Sequence, residues 1–170
     1  QWAQLSAVDR TWFAYCRTKE CLKLVVAGNR SPLIAAASYG NTEVVKALIE
    51  AGANLEETDE DEWTPLSWAA QNRHTEAVKT LIAAGANLEA TDIDGWTPLI
   101  WAAKYGHTEV VKALIAAGAS LEATDRDEWT PLILAAGNGH TEAVKALIEA
   151  GANLEETDRR GNTPLIAAAS

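Results

Sequence analysis

Prolines stand at positions 32, 65, 98, 131 and 164, each 33 residues after the one before. So regular a period restricts the chain to a repeat architecture, in which one supersecondary unit recurs and stacks on its neighbours. Around the prolines the chain reads Ser31-Pro-Leu-Ile-Ala-Ala, Thr64-Pro-Leu-Ser-Trp-Ala-Ala, Thr97-Pro-Leu-Ile-Trp-Ala-Ala, Thr130-Pro-Leu-Ile-Leu-Ala-Ala and Thr163-Pro-Leu-Ile-Ala-Ala. Ser or Thr before Pro predicts an N-cap followed by proline at the first helical position, where its missing N–H costs nothing. The helix that follows is short and rich in alanine, so a neighbour can pack closely. Gly40, Gly106 and Gly139 mark its left-handed end.

A second helix is predicted from Asn41-Thr-Glu-Val-Val-Lys-Ala-Leu-Ile-Glu-Ala-Gly52, with counterparts starting at His74, His107 and His140. Thr42, Thr75, Thr108 and Thr141 are expected to cap it, and the glutamate after each favours the positive helix end. Val44, Val45, Leu48 and Ile49 form a one-sided apolar stripe. The polar run from Ala53 to Trp63 carries the chain back to the next cap. No unit can cover its own apolar face, so units must stack.

The 33-residue spacing, Thr-Pro-Leu, the paired alanines, Gly-His and Ala-Gly-Ala-Asn-Leu together resemble ankyrin repeats over residues 31–170. The resemblance implies an all-α ankyrin-repeat solenoid of helix-turn-helix units with projecting β-hairpin-like loops. The units are 31–63, 64–96, 97–129, 130–162 and a partial 163–170. Neighbouring units are so alike that the chain further resembles consensus-designed, engineered ankyrin scaffolds. The family pattern places histidine after Thr-Pro-Leu, whereas Ile34, Ser67, Ile100, Ile133 and Ile166 stand there, which implies a lost capping hydrogen bond.

Both ends depart from the repeat. Residues 1–30 carry five Lys/Arg against two acids, a sum of +3, while the remainder sums to −13. Trp2, Trp12, Phe13 and Tyr15 also crowd the first residues. A helix over 12–27 ended by Gly28, preceded by a shorter one over 2–9, is expected. This segment reads either as an atypical helical N-terminal cap or as a partner-binding appendage. At Ser170 the fifth unit lacks its second helix, so either the chain continues further or something else covers exposed apolar surface there.

Composition narrows the function. Apolar residues at 48% and charged residues at 22% describe a soluble globular protein. A net charge of −10 argues against nucleic acid or an anionic membrane as partner. No apolar run is long enough to span a bilayer and no targeting pattern opens the chain, so the cytoplasm is the expected location on expression in cells. Catalysis needs a nucleophile, base or metal cluster in one concavity. His74, His107 and His140 recur at one register, giving a ladder of turn-stabilising rings instead of a metal site. Cys16 and Cys21 have no zinc spacing and sit too far around a helix for an easy disulfide. The acidic loop residues are expected to be solvated. No enzyme, metal or cofactor is predicted.

The resemblance supplies the positive reading: ankyrin stacks bind proteins on a concave face made of loop tips and the exposed side of the first helix. Mapped onto this chain, that face comprises Glu60, Glu62, Trp63, Trp68, Gln71, Asn72 and Arg73, then Ile93, Trp96, Trp101, Lys104 and Tyr105. It continues with Arg126, Glu128, Trp129, Leu134, Gly137 and Asn138. Otherwise matching units differ mostly at these positions. Trp68, Trp101 and Tyr105 are expected to enter apolar pockets of a globular protein partner, because a wide indole on an alanine-trimmed helix is hard to justify by packing alone. Trp63, Trp96, Trp129 and Leu134 extend the patch, although the three tryptophans also fit a fixed scaffold choice. Glu62, Arg73, Arg126 and Glu128 form a charged rim. Glu62, Arg73 and Glu128 stand where other units have glycine; if those sites need positive φ, each costs about 1 kcal/mol. The acidic loop rows (Glu56, Glu57, Asp59, Glu60) favour a partner with basic surface. The rival is a self-assembling homo-oligomer that buries the same face or the half repeat. An enzyme pairing Cys16 or Cys21 with a histidine stands third.

Overall fold

A computed structural model describes residues 31–169. Two compact units divide between Asn87 and Leu88. The described part of the first contains α1 (Pro32–Ser38), α2 (Thr42–Glu50), α3 (Pro65–Gln71) and α4 (Thr75–Ala83). The second contains α5 (Pro98–Lys104), α6 (Thr108–Ala116), α7 (Pro131–Gly137), α8 (Thr141–Glu149) and α9 (Pro164–Ala168). The described residues are thus all-α, in the helix-turn-helix repeat expected. The helices foreseen over 2–9 and 12–27, with Cys16 and Cys21, lie outside the described residues.

Each short helix starts as its Ser/Thr-Pro pair dictates. The hydroxyls of Ser31, Thr64, Thr97, Thr130 and Thr163 accept the N–H three residues on, at 3.2, 3.1, 3.3, 3.2 and 3.4 Å. Caps of this kind contribute about 1 kcal/mol each. At Ser67 a hydroxyl survives where its counterparts are isoleucine, and it shares a 3.0 Å hydrogen bond with the Thr64 hydroxyl. Ile34, Ile100 and Ile133 are instead fully buried, so apolar burial replaces the polar contact.

The threonines of the longer helices do not cap. The cap position is Asn41, His74, His107 or His140, without a side-chain hydrogen bond to the helix. The left-handed turn places the non-helical backbone on that residue (Asn41 φ −78°, ψ 77°), so the threonine is already the first helical residue. Its hydroxyl faces back to the glycine carbonyl, at 3.5 Å for both Thr42 and Thr108.

Packing repeats with the sequence. In the first unit α1 lies against α3 and α2 against α4; in the second, α5, α7 and α9 form one row and α6 and α8 another. Leu33, Leu48, Leu66 and Leu81 are buried between layers in the first unit, as are Leu99, Leu114, Leu132 and Leu147 in the second. Full burial of such a side chain is worth about 1.5–3 kcal/mol. Two polar rungs join successive repeats. His74 Nε2–H donates to Ser38 O at 3.1 Å, and His140 Nε2–H to Lys104 O at 2.8 Å. These imidazoles therefore tie one repeat to the one before, beyond their own turn. Glycine is needed beneath them: a Cβ on Gly106 would meet the His140 ring at 2.5 Å. The second rung is a glutamate. Glu56, Glu89 and Glu122 accept the N–H of Asn87, Ser120 and Asn153, each at 2.8 Å.

Candidate functional site

Every projecting loop is organised by one aspartate. Asp59 Oδ1 accepts the N–H of Asp61 (3.2 Å) and Trp63 (3.0 Å). Asp92 does the same for Asp94 and Trp96, both at 3.0 Å. Asp125 serves Asp127 and Trp129, both at 2.9 Å, and Asp158 serves Arg160 and Asn162, both at 2.8 Å. Two backbone bonds close each loop, in the first Asp59 N–H to Trp63 O at 3.2 Å and Glu62 N–H to Asp59 O at 3.1 Å, and no strand forms among the described residues. Glu56, Glu60, Glu89 and Glu122 are exposed as expected of the acidic rows, whereas Asp92 and Asp158 are buried, which corrects the expectation at those positions. Asn162 holds the Asp158 carboxyl below the usual aspartate range, through its backbone N–H first and its side-chain amide (2.9 Å) second. Burial pushes the Glu57 carboxyl upward, opposed by its hydrogen bond from Ser31.

The same aspartates capture tryptophan. Trp68 Nε1–H donates to Asp59 Oδ2 and Trp101 Nε1–H to Asp92 Oδ2, both at 2.8 Å. Each indole lies tilted against the tryptophan of its own loop: Trp63–Trp68 centroids are 4.6 Å apart at 35°, and Trp96–Trp101 4.4 Å apart at 40°. Packing inside the repeat thus accounts for Trp68 and Trp101, contrary to the expectation that it would not. Trp101 is only 9% exposed and Leu134 4%. The indole of Trp101, expected in a partner's pocket, is held by the loop aspartate, and Leu134, expected to extend the patch, packs into the core.

What remains outward is mixed in each unit. Tyr105 is 44% and Ile93 41% exposed; Glu62, Arg73, Arg126 and Glu128 are exposed, and Trp63, Trp68, Trp96 and Trp129 half-buried. Tyr105 stacks on Trp101 at 6.0 Å and 9°, and the Lys104 ammonium sits 4.2 Å from the Trp96 ring centroid. Glu62, Arg73 and Glu128 have φ of 62°, 63° and 64°, in the left-handed region their glycine counterparts occupy. In the second unit a cavity of about 570 Å³ lies over Trp129 and Leu134. It is flanked by Trp96, Lys104, Asp125, Asp127, Asn138, Arg159 and Arg160.

The loop aspartates and the Glu56, Glu89 and Glu122 rungs escaped the sequence reading, which grouped them with solvated acids. Their signal was register: Thr-Asp recurs at 58–59, 91–92, 124–125 and 157–158. Among the described residues no group of three His, Cys, Asp or Glu is placed to hold a metal ion. Nor is any helix there long and apolar enough to cross a membrane.

No curated protein matches the chain. A family model described as ankyrin repeats (three copies) matches residues 11–92, 33–125, 85–158 and 118–170. Ankyrin repeats are protein–protein interaction modules, typically binding scaffolds without catalytic activity. With helix pairs, inter-repeat rungs and loops recurring every 33 residues under those overlapping matches, the chain belongs to the ankyrin-repeat family.

Proposed function

We propose that this is an engineered binding module that recognises a globular protein through its loop tips and the exposed edge of its short helices. One observation carries the reading. Glu62, Arg73 and Glu128 hold left-handed backbone, are exposed, and make no side-chain hydrogen bond or ion pair among the described residues. Strain of about 1 kcal/mol at each, with no return inside the fold, fits residues chosen for contact with another molecule. In the first unit Glu62 and Arg73 belong to the same repeat as Trp63 and Trp68, and in the second Glu128 precedes Trp129 and is joined by Ile93, Trp96 and Tyr105, residue types suited to an interface core. Trp101 and Leu134 support this face from beneath, and Arg126 joins the rim. The net charge of −10 favours a partner with some basic surface. Near-identical units support the engineered origin.

The test is affinity for a globular partner selected from a displayed library. Tyr105→Ala with Ile93→Ala should weaken binding at least tenfold, while Lys112→Ala on the far helix should leave it unchanged. Loss on Lys112→Ala with none on the double variant would place the face elsewhere.

A second reading, self-association, draws on exposed apolar side chains near the last described helix. Leu165 is 80%, Leu154 49%, Ile166 47% and Ile148 44% exposed.

A further inference from the structure

We propose that the cavity over Trp129 receives the indole of a tryptophan presented by the partner protein. The repeats themselves display the occupant. At two of the loops the position nine residues after the organising aspartate is tryptophan, Trp68 or Trp101, whose ring lies on the loop tryptophan and whose N–H reaches the aspartate Oδ2. At the Asp125 loop that position is Leu134, buried and without a donor. The other half of the arrangement is intact. Trp129 stands at the loop end, and Asp125 Oδ1 is held by the Asp127 and Trp129 N–H groups. Among the described residues Asp125 Oδ2 has no hydrogen-bond partner. About 570 Å³ lies open beside it, within the roughly 300–1,000 Å³ of ordinary ligand sites.

Chemistry selects indole among possible side chains. Phenylalanine would fill the apolar part and leave Asp125 Oδ2 unsatisfied. Arginine offers donors, but Lys104, Arg159 and Arg160 already outnumber Asp125 and Asp127 around the cavity. Asp127 is also engaged, by Arg159 at 3.5 Å. A flat, neutral N–H donor meets both demands. This inference rests on the protein-binding reading above and specifies one side chain the partner must bring.

The experiment titrates N-acetyl-tryptophanamide into the full chain and follows amide and indole signals by NMR, with no partner protein present. Saturable shifts should centre on Trp129, Asp127 and Asn138. The analogue methylated on the indole nitrogen should bind about tenfold more weakly, since it cannot donate to Asp125. Leu134→Trp, which supplies the indole from within, should abolish the shifts. Absence of saturable shifts, equal binding of the methylated analogue, or tighter binding of N-acetyl-argininamide would each overturn the proposal. The methylated probe needs no variant, so the test survives if Leu134→Trp fails to fold. Failure here would remove the indole site alone; the wider face stands or falls with the Tyr105 and Ile93 variants.

Discussion

Two kinds of residue in this chain act against the habits of their type. Glutamate and arginine avoid positive φ, yet Glu62, Arg73 and Glu128 occupy it where Gly95, Gly161, Gly40 and Gly106 do so freely. Replacing Glu128 or Arg73 by glycine should therefore stabilise the chain by about 1 kcal/mol each, read as a raised denaturation midpoint. The second kind is the buried carboxylate. Asp92 accepts two backbone N–H groups and one indole N–H, and Trp101 above it is buried. Asp92→Ala strands three donors and should cost about 3 kcal/mol on chemical denaturation. Asp125→Ala strands only two and should cost about 1 kcal/mol less. Equal losses would mean that the indole bond carries no weight. Both aspartates recur in register, but nothing local in the sequence tells a loop organiser from a solvated acid.

Short and long helices look alike in sequence, each opening near a threonine, but their starts are built differently. Thr97 Oγ1 caps α5 through the Ile100 N–H, whereas Thr108 is the first residue of α6 and turns back to Gly106. Thr97→Ala should cost about 1 kcal/mol and Thr108→Ala only a few tenths, compared by thermal or urea unfolding. The loop before α9 adds a pH-dependent element. Asp158 has a carboxyl depressed by Asn162, so its contribution is complete above the unfolded aspartate value and is lost as pH falls through the lower folded one. Asn162→Ala removes the side-chain amide and should move the Asp158 midpoint upward, toward the ordinary value, in a carboxyl-detected NMR titration. An unmoved midpoint would leave the backbone N–H groups as the whole cause. On the outer face of the long helices, Glu43–Lys46, Glu76–Lys79, Glu109–Lys112 and Glu142–Lys145 pair three residues apart. Exposed as they are and screened by solvent, such pairs contribute little to stability, which suits Lys112→Ala as a silent control.

For the chain as a whole, the question is which exposed apolar surface meets another protein. The loop face and the group Ile148, Leu154, Leu165 and Ile166 are separate candidates. Light scattering behind a sizing column, over about a hundred-fold range of concentration, separates them. A monomer throughout is expected if the loop face awaits a foreign partner. A concentration-dependent dimer abolished by Leu165→Lys would assign self-association to the apolar group near α9. A dimer abolished by Tyr105→Ala would instead mean that the loop face recognises itself. Repulsion between copies of net charge −10 opposes self-association at low salt, so the run belongs at physiological ionic strength.

The sequence alone determined the repeat and most of its local chemistry. A period of 33, Thr-Pro starts and glycine ends leave one stable solution, because caps and turns act over a few residues and stacking is the only way to bury the stripe. The positive-φ demand at positions 62, 73 and 128 was legible too, since units bearing glycine reveal what the backbone needs there. Tertiary structure decided where side chains go once units stack. It turned His74 and His140 into rungs on the preceding repeat and gave Glu56, Glu89 and Glu122 to the next one. It also drew Trp68 and Trp101 into the fold by handing their N–H to a carboxylate nine residues away, leaving one Asp125 oxygen without a partner among the described residues. Those outcomes depend on distances between residues 9 to 36 apart in the chain, which no local propensity encodes.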